Sequence, residues 1–444
     1  MDEDIWQINH PLPLNSLRGN FFDGRRSPSP LERTCHIKDS RIAGFTKRGN
    51  ADIVIPDRTL IIPGGIDTHV HGRDAHGIKP GDKGDQSYKE DSYTVSLALG
   101  HGGATFAMCM CNFASYVETD EQYDAQLESM NSELPHRKKP IMRLGAYVTI
   151  KPGSKPEITR PVWYKCFWKT FAGTFETDEQ VIETLRNYRG RRVKVHCETI
   201  ADIIENASMP HHVRRPGVAA INATKIVIQC ARDYGLTIDV AHISTPEEID
   251  LVREAQREGV KVYSEITPQS LTLDHTTFKE ATGLPMIWGQ QNPPLRSFFE
   301  RMAMRHRIKN VTYFSTDHAP HTKEENERGI SGMPQADTAG QVYLELVSDE
   351  VIDLARYVEM RSTTPGKILE KQLGLKMGKL EPGYDANFTL VSLNKPSRIR
   401  DEDVLSKCGW TPYRNMEFRN AIEGVVVGGV LYTAATLREL RQAA

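Results

Sequence analysis

The amino-acid sequence predicts an α/β fold: a (β/α)8 barrel of the TIM type with a small β-domain built from both chain ends. Three observations predict it. Eight apolar runs recur through the middle of the chain, helix-start signals follow several of them, and the two ends hold short β-like pieces with Gly and Pro turns. The runs are LIIPGGIDTHVH (60–71), ATFAMCMCN (104–112), MRLGAYVTI (142–150), VWYKCFWKTF (162–171), RVKVHCE (192–198), LTIDVAHIS (236–244), VKVYSEIT (260–267) and VTYFSTDHAPH (311–321). Several are almost continuously apolar, as parallel strands buried on both faces are.

The helix starts come next. Ser87 with Glu90, Thr119 with Gln122, Thr177 with Gln180 and Thr245 with Glu248 have capping-box spacing, which satisfies two orphan N–H groups reciprocally. Pro246 adds the preference for proline in the first helical position. Strand then helix, eight times over roughly 260 residues, favours a closed barrel. The alternative is an open doubly wound sheet, but no Gly-rich nucleotide loop of the required form follows the first strand. Thr364-Pro365 is expected to open a late helix. The pieces ADIVIP, GKLEPGYDANFTLVSL and AIEGVVVGGVLYT read as strands with turns. Residues 1–60 and 370–444 are therefore expected to form one small β-domain, interrupted by a barrel over 61–369.

Composition narrows the function classes. At 444 residues the chain suits a large α/β domain plus an appendage. Lys+Arg 56 against Asp+Glu 58 gives a net charge of -2. That leaves a nucleic-acid partner without electrostatic support. No apolar stretch approaches the roughly 20 residues of a bilayer span, so no membrane role is expected. The start, MDEDIWQINHPLPL, is acidic and lacks a signal-peptide core. Seven cysteines, an odd number, argue against a disulfide framework and for a cytoplasmic setting. Cys109 and Cys111 read as buried-strand thiols.

The polar residues gather at strand ends. His69 and His71 are two apart on a strand, so both imidazoles face one way. Neutral imidazoles suit a zinc-like cation. His196 closes the fifth run, His242 the sixth and Asp317 the eighth, with His321 one turn on. In a barrel the strand C-termini converge on one mouth, where active sites lie. Four histidines and an aspartate there outweigh loop capping as an explanation. Lys165 sits among aromatics, with Lys169 expected on the same face. A buried unpaired lysine is costly. Desolvation lowers its pKa and favours reaction with carbon dioxide, giving a carbamate able to bridge two cations.

These residues resemble the amidohydrolase superfamily and, within it, the dihydroorotases. The likeness covers about residues 50 to 440 and is carried by GGIDTHVHGR, CNF, YKCFW, KVHCE, DVAHIS, NPPLR, TDHAPHT and GWTPYRNMEF. It implies that His69 and His71 hold one metal, that carboxylated Lys165 bridges to a second held by His196 and His242, and that Asp317 ligates the first metal and acts as catalytic base and acid. It further implies that Arg73 takes a substrate carboxylate with Asn112 and His321, and that Asn292 also touches substrate. The implied cofactors are two Zn2+, with Co or Mn as fitting alternatives. The implied reaction is reversible hydrolysis of L-dihydroorotate to N-carbamoyl-L-aspartate in pyrimidine synthesis, by a hydroxide shared between two metals about 3.5–4 Å apart. A homodimer or association with aspartate transcarbamoylase is consistent with that likeness.

The sequence departs from the family pattern at Gly72-Arg73-Asp74, Cys111-Asn112-Phe113, Thr267-Pro268-Gln269-Ser270 and near Gln335-Ala336. These put the pocket's outline, and so the ring substrate, in question. The alternatives are a dihydropyrimidinase, hydantoinase or allantoinase, whose rings lack the carboxylate, and a non-catalytic dihydroorotase-like subunit of an aspartate transcarbamoylase complex. Arg73 argues against the first group, and the full ligand set against the second. A mononuclear deaminase would not need Lys165.

Overall fold

The structure is a computed structural model that describes residues 4–25, 29–111, 117–169 and 175–444. Each of the eight apolar runs contains one barrel strand. They are β1 (Gly65–Val70), β2 (Ala104–Cys109), β3 (Leu144–Thr149), β4 (Trp163–Cys166), β5 (Arg192–Val195), β6 (Thr237–Val240), β7 (Val262–Ile266) and β8 (Tyr313–Phe314). Neighbours pair in parallel, in chain order. A parallel bridge from Val70 to His318, with the His71 N–H donating to the His318 carbonyl at 2.8 Å, brings the last strand round to the first. The expected barrel is therefore observed.

Alternation along each strand makes two cores. One alternating set fills the barrel: Ile66, Phe106, Met108, Tyr147, Trp163 and Tyr313. The other, including Ala107, Cys109, Val193, Val195, Ile238 and Val240, packs under the helices. Cys109 and Cys111 are buried thiols raised above the ordinary thiol pKa by that burial.

The first run is shared between two sheets. Thr59–Pro63 lies in a nine-stranded mixed sheet, and the barrel strand starts only at Gly65. The chain crosses at Gly64, where a Cβ would meet the Thr105 hydroxyl at 2.2 Å. The mixed sheet draws on both ends of the chain, as expected. Thr59–Pro63 pairs with Phe388–Ser392 on one side and with Ser16–Phe21 on the other. The strands Ala421–Val427 and Val430–Thr433 form a hairpin through Gly428-Gly429, both at positive φ (55° and 83°), which a two-residue hairpin turn requires.

Two expectations about the helices are corrected. The helix Ser92–His101 is capped by Asp91 with Thr94, not by Ser87 with Glu90. Glu90 instead turns inward to bond His318 and Ser406. No helix separates β3 from β4, so the alternation is incomplete there. Thr364-Pro365 opens the α-helix Thr364–Leu373, as expected, with the proline in its first turn; the stretch is entered from Leu354–Val358 through a π turn, Glu359–Thr363. A wide turn before a proline absorbs its missing N–H. Thr119 and Thr245 make the full capping boxes expected of them, and Thr177 caps through its side chain.

Candidate functional site

The C-terminal ends of the strands open on a cavity of about 450 Å³. Nine of the ten residues singled out by sequence line it: His69, His71, Arg73, Lys165, His196, His242, Asn292, Asp317 and His321. The tenth, Asn112, lies outside the described residues, as does Phe113. A larger open cleft of about 1310 Å³ near the starts of β2 and β3 gathers none of them.

His69 and His71 leave β1 on one side, as their spacing requires. Each points Nε2 at the same Asp317 oxygen, at 3.2 and 3.3 Å. One ligand atom from each of the three lies within 4.8 Å of the others, which could hold a metal ion. Burial alone would raise the Asp317 carboxyl, but His69, His71 and Lys165 draw it down to about 2, so it is ionised. Burial lowers His69 to about 4, and a neutral imidazole is the form that ligates a metal.

Across the cavity, His196 from the end of β5 and His242 from the end of β6 face each other, Nδ1 to Nε2, at 2.9 Å. Burial lowers both below the ordinary histidine range. Lys165, on β4, lines the same cavity. It is 1% exposed, and its Nζ has no hydrogen-bond partner among the described residues. Burial lowers it to about 8. Lys169 does not share its face: β4 ends at Cys166, and Lys169 reaches outward to Glu205.

Arg73 and His321 form a second wall. Arg73 Nη2 lies 3.3 Å from His321 Nε2 and 3.3 Å from the Pro320 carbonyl, and Nη1 reaches Gln86 Oε1 at 3.3 Å. His321 gives its Nδ1 side to Glu325 at 2.9 Å, and Glu325 is also held by Lys89 and Tyr88. Burial lowers Arg73 only to about 10, so it stays cationic. Asn292 is held through its Oδ1 by His211 at 3.0 Å.

Backbone strain marks the same residues. Arg73, His242 and Asp317 have φ of 61°, 35° and 50°. Side-chain-bearing residues adopt that region at a cost, and such outliers cluster at functional sites.

Sequence reasoning missed the supports. Glu265 on β7 accepts from His69 Nδ1 at 2.6 Å, and Glu198 bonds His196 Nε2 at 2.8 Å. A glutamate inside an almost apolar strand must find a partner. VYSEI carried that signal.

Eight parallel strands with this cluster at one mouth fit a single class. Residues 60–432 match the amidohydrolase family, and the chain belongs to it. It is similar to the dihydroorotase of Pyrococcus furiosus, at 28% identity over 93% of this chain and 91% of that relative. It is also similar to the dihydroorotase of Fusobacterium nucleatum, at 30% over 85% and 89%. Among solved structures, the L-hydantoinase (dihydropyrimidinase) of Arthrobacter aurescens superposes with a TM-score of 0.79 at 20% identity, covering 94% and 95% of the two chains. The dihydropyrimidinase of Brevibacillus agri gives 0.78 at 20%, covering 95% of each. At that identity the structural likeness speaks for the fold. No helix among the described residues is long and apolar enough to cross a membrane.

Proposed function

We propose that this chain is a dihydroorotase, catalysing the reversible hydrolysis of L-dihydroorotate to N-carbamoyl-L-aspartate in the cytoplasm. The observation that carries the reading is the cationic Arg73 beside His321, on the wall of the cavity that also gathers the histidines, Lys165 and Asp317. A planar guanidinium binds a carboxylate bidentately, and dihydroorotate carries one where hydantoin and dihydrouracil do not. The similarity to the two dihydroorotases over most of the chain supports it.

The donor set fits two divalent ions. His69, His71 and Asp317 would hold one, His196 and His242 the other, and Lys165, as its carbamate, would bridge them. The buried Nζ without a partner is what such a bridge needs. When bound, the metals would polarise the ring amide and lower the pKa of water. The chain's own groups do the rest. Asp317, ionised and held toward both β1 histidines, would take the proton of the attacking water and give it to the departing ring nitrogen. Arg73, His321, Asn292 and, from the sequence likeness, Asn112 would fix the ring by its carboxylate and edge.

The test is a side-by-side rate comparison of L-dihydroorotate, dihydrouracil, hydantoin and allantoin with the zinc-loaded protein. Turnover of dihydroorotate alone is expected. Faster turnover of the uncharged rings would reject the role of Arg73. No turnover of any ring would favour a non-catalytic subunit.

A further inference from the structure

Glu265 sits on β7, fully buried, directly behind the proposed metal centre. Its Oε1 accepts from His69 Nδ1 at 2.6 Å and from the His242 backbone N–H at 3.0 Å. Its Oε2 accepts from Lys194 Nζ and, at 3.4 Å, from Thr68 Oγ1. One carboxylate thus touches a residue from each half of the centre. We infer that Glu265 is a positioning residue for both proposed metal ions. This rests on His69 and His242 being ligands.

A carboxylate paired with a lysine only accepts, so the His69 proton sits on Nδ1. That leaves the Nε2 lone pair aimed at the position it shares with Asp317, 3.2 Å away. Partners behind ligating histidines fix ring and tautomer in this way. His242 has φ of 35°, and its N–H is secured by Glu265. The strained turn that aims the His242 ring at His196 is therefore tied to the same carboxylate as His69. Glu198 is different: it bonds only His196 of the proposed ligands and is backed by Arg215.

The experiment uses the full chain loaded with zinc and dialysed against graded chelator, with zinc counted by elemental analysis. In Glu265→Gln one oxygen becomes an N–H donor. Lys194 claims the remaining oxygen, and the donor faces His69 Nδ1 and the His242 N–H. Both zincs are expected to bind about 10- to 100-fold more weakly. Glu198→Gln should weaken only one. Glu265→Asp, which keeps an acceptor-only group, should recover part of the loss.

Unchanged zinc retention in folded Glu265→Gln overturns the inference. Should that variant not fold, nitrogen-15 NMR of labelled histidines in the wild-type protein decides instead. Protonated Nδ1 on His69 is expected, and a bare Nδ1 overturns it. His69→Ala separates the two levels. Wild-type zinc retention there removes the metal reading and the inference with it. Zinc loss there, with none in Glu265→Gln, removes the inference alone.

Discussion

Lys165 and Lys194 are register partners on adjacent strands, β4 and β5, and both are buried inside the same barrel. Their surroundings are opposite. Lys194 donates to the Thr68 carbonyl at 2.7 Å, to Thr68 Oγ1 at 2.9 Å and to Glu265. Lys165 donates to nothing among the described residues; its Nζ stands 5.2 Å from the Phe167 ring centroid. Burial is the same, so burial alone does not tell the two lysines apart. The difference is whether the fold supplies acceptors. Below the mouth it does: Arg192 pairs with Asp239, which also accepts from Trp163 at 3.2 Å and Tyr313 at 2.9 Å. At the mouth it supplies Lys165 Nζ with no acceptor among the described residues.

Four substitutions sharpen that contrast, and the largest effect is expected at the mouth. Asp317→Asn should cut turnover by about 10⁴-fold, the upper end for acid–base catalysis, with metal partly retained. Steady-state rates and zinc content would check it. Lys194→Met should cost about 3–5 kcal/mol of stability, because it leaves Glu265 charged and buried without its main partner. Denaturant unfolding of the metal-free protein measures that. Arg73→Met should lower kcat/KM by about 100-fold, roughly 2.7 kcal/mol, with zinc content unchanged. Normal kinetics in this variant would reject the carboxylate role. Lys165→Met should not lower the stability of the metal-free protein, since no hydrogen bond is lost and a costly buried amine is removed. It should still lose metal. A drop as large as that of Lys194→Met would erase the comparison.

The barrel was legible because its signal is local: each apolar run carries a strand, and the ligand types sit at run ends. The pairing behind them was not. Glu265 draws Lys194 from β5 and His69 from β1, and nothing in VYSEI names those partners. The split of the first run at Gly64 was hidden for a related reason. The run reads as one stretch, and the close approach of Thr105 at Gly64 comes from the neighbouring strand β2. The Asp91 cap was missed because Ser87 with Glu90 offers the same spacing, and the pull of His318 on Glu90 comes from a residue distant in sequence.

The most direct test of the contrast is the native intact mass of the zinc-loaded protein, followed by peptide mapping that keeps labile adducts. One carbon dioxide per chain is expected, on Lys165 and not on Lys194. A bare Lys165 amine in a metal-loaded, active protein would contradict it.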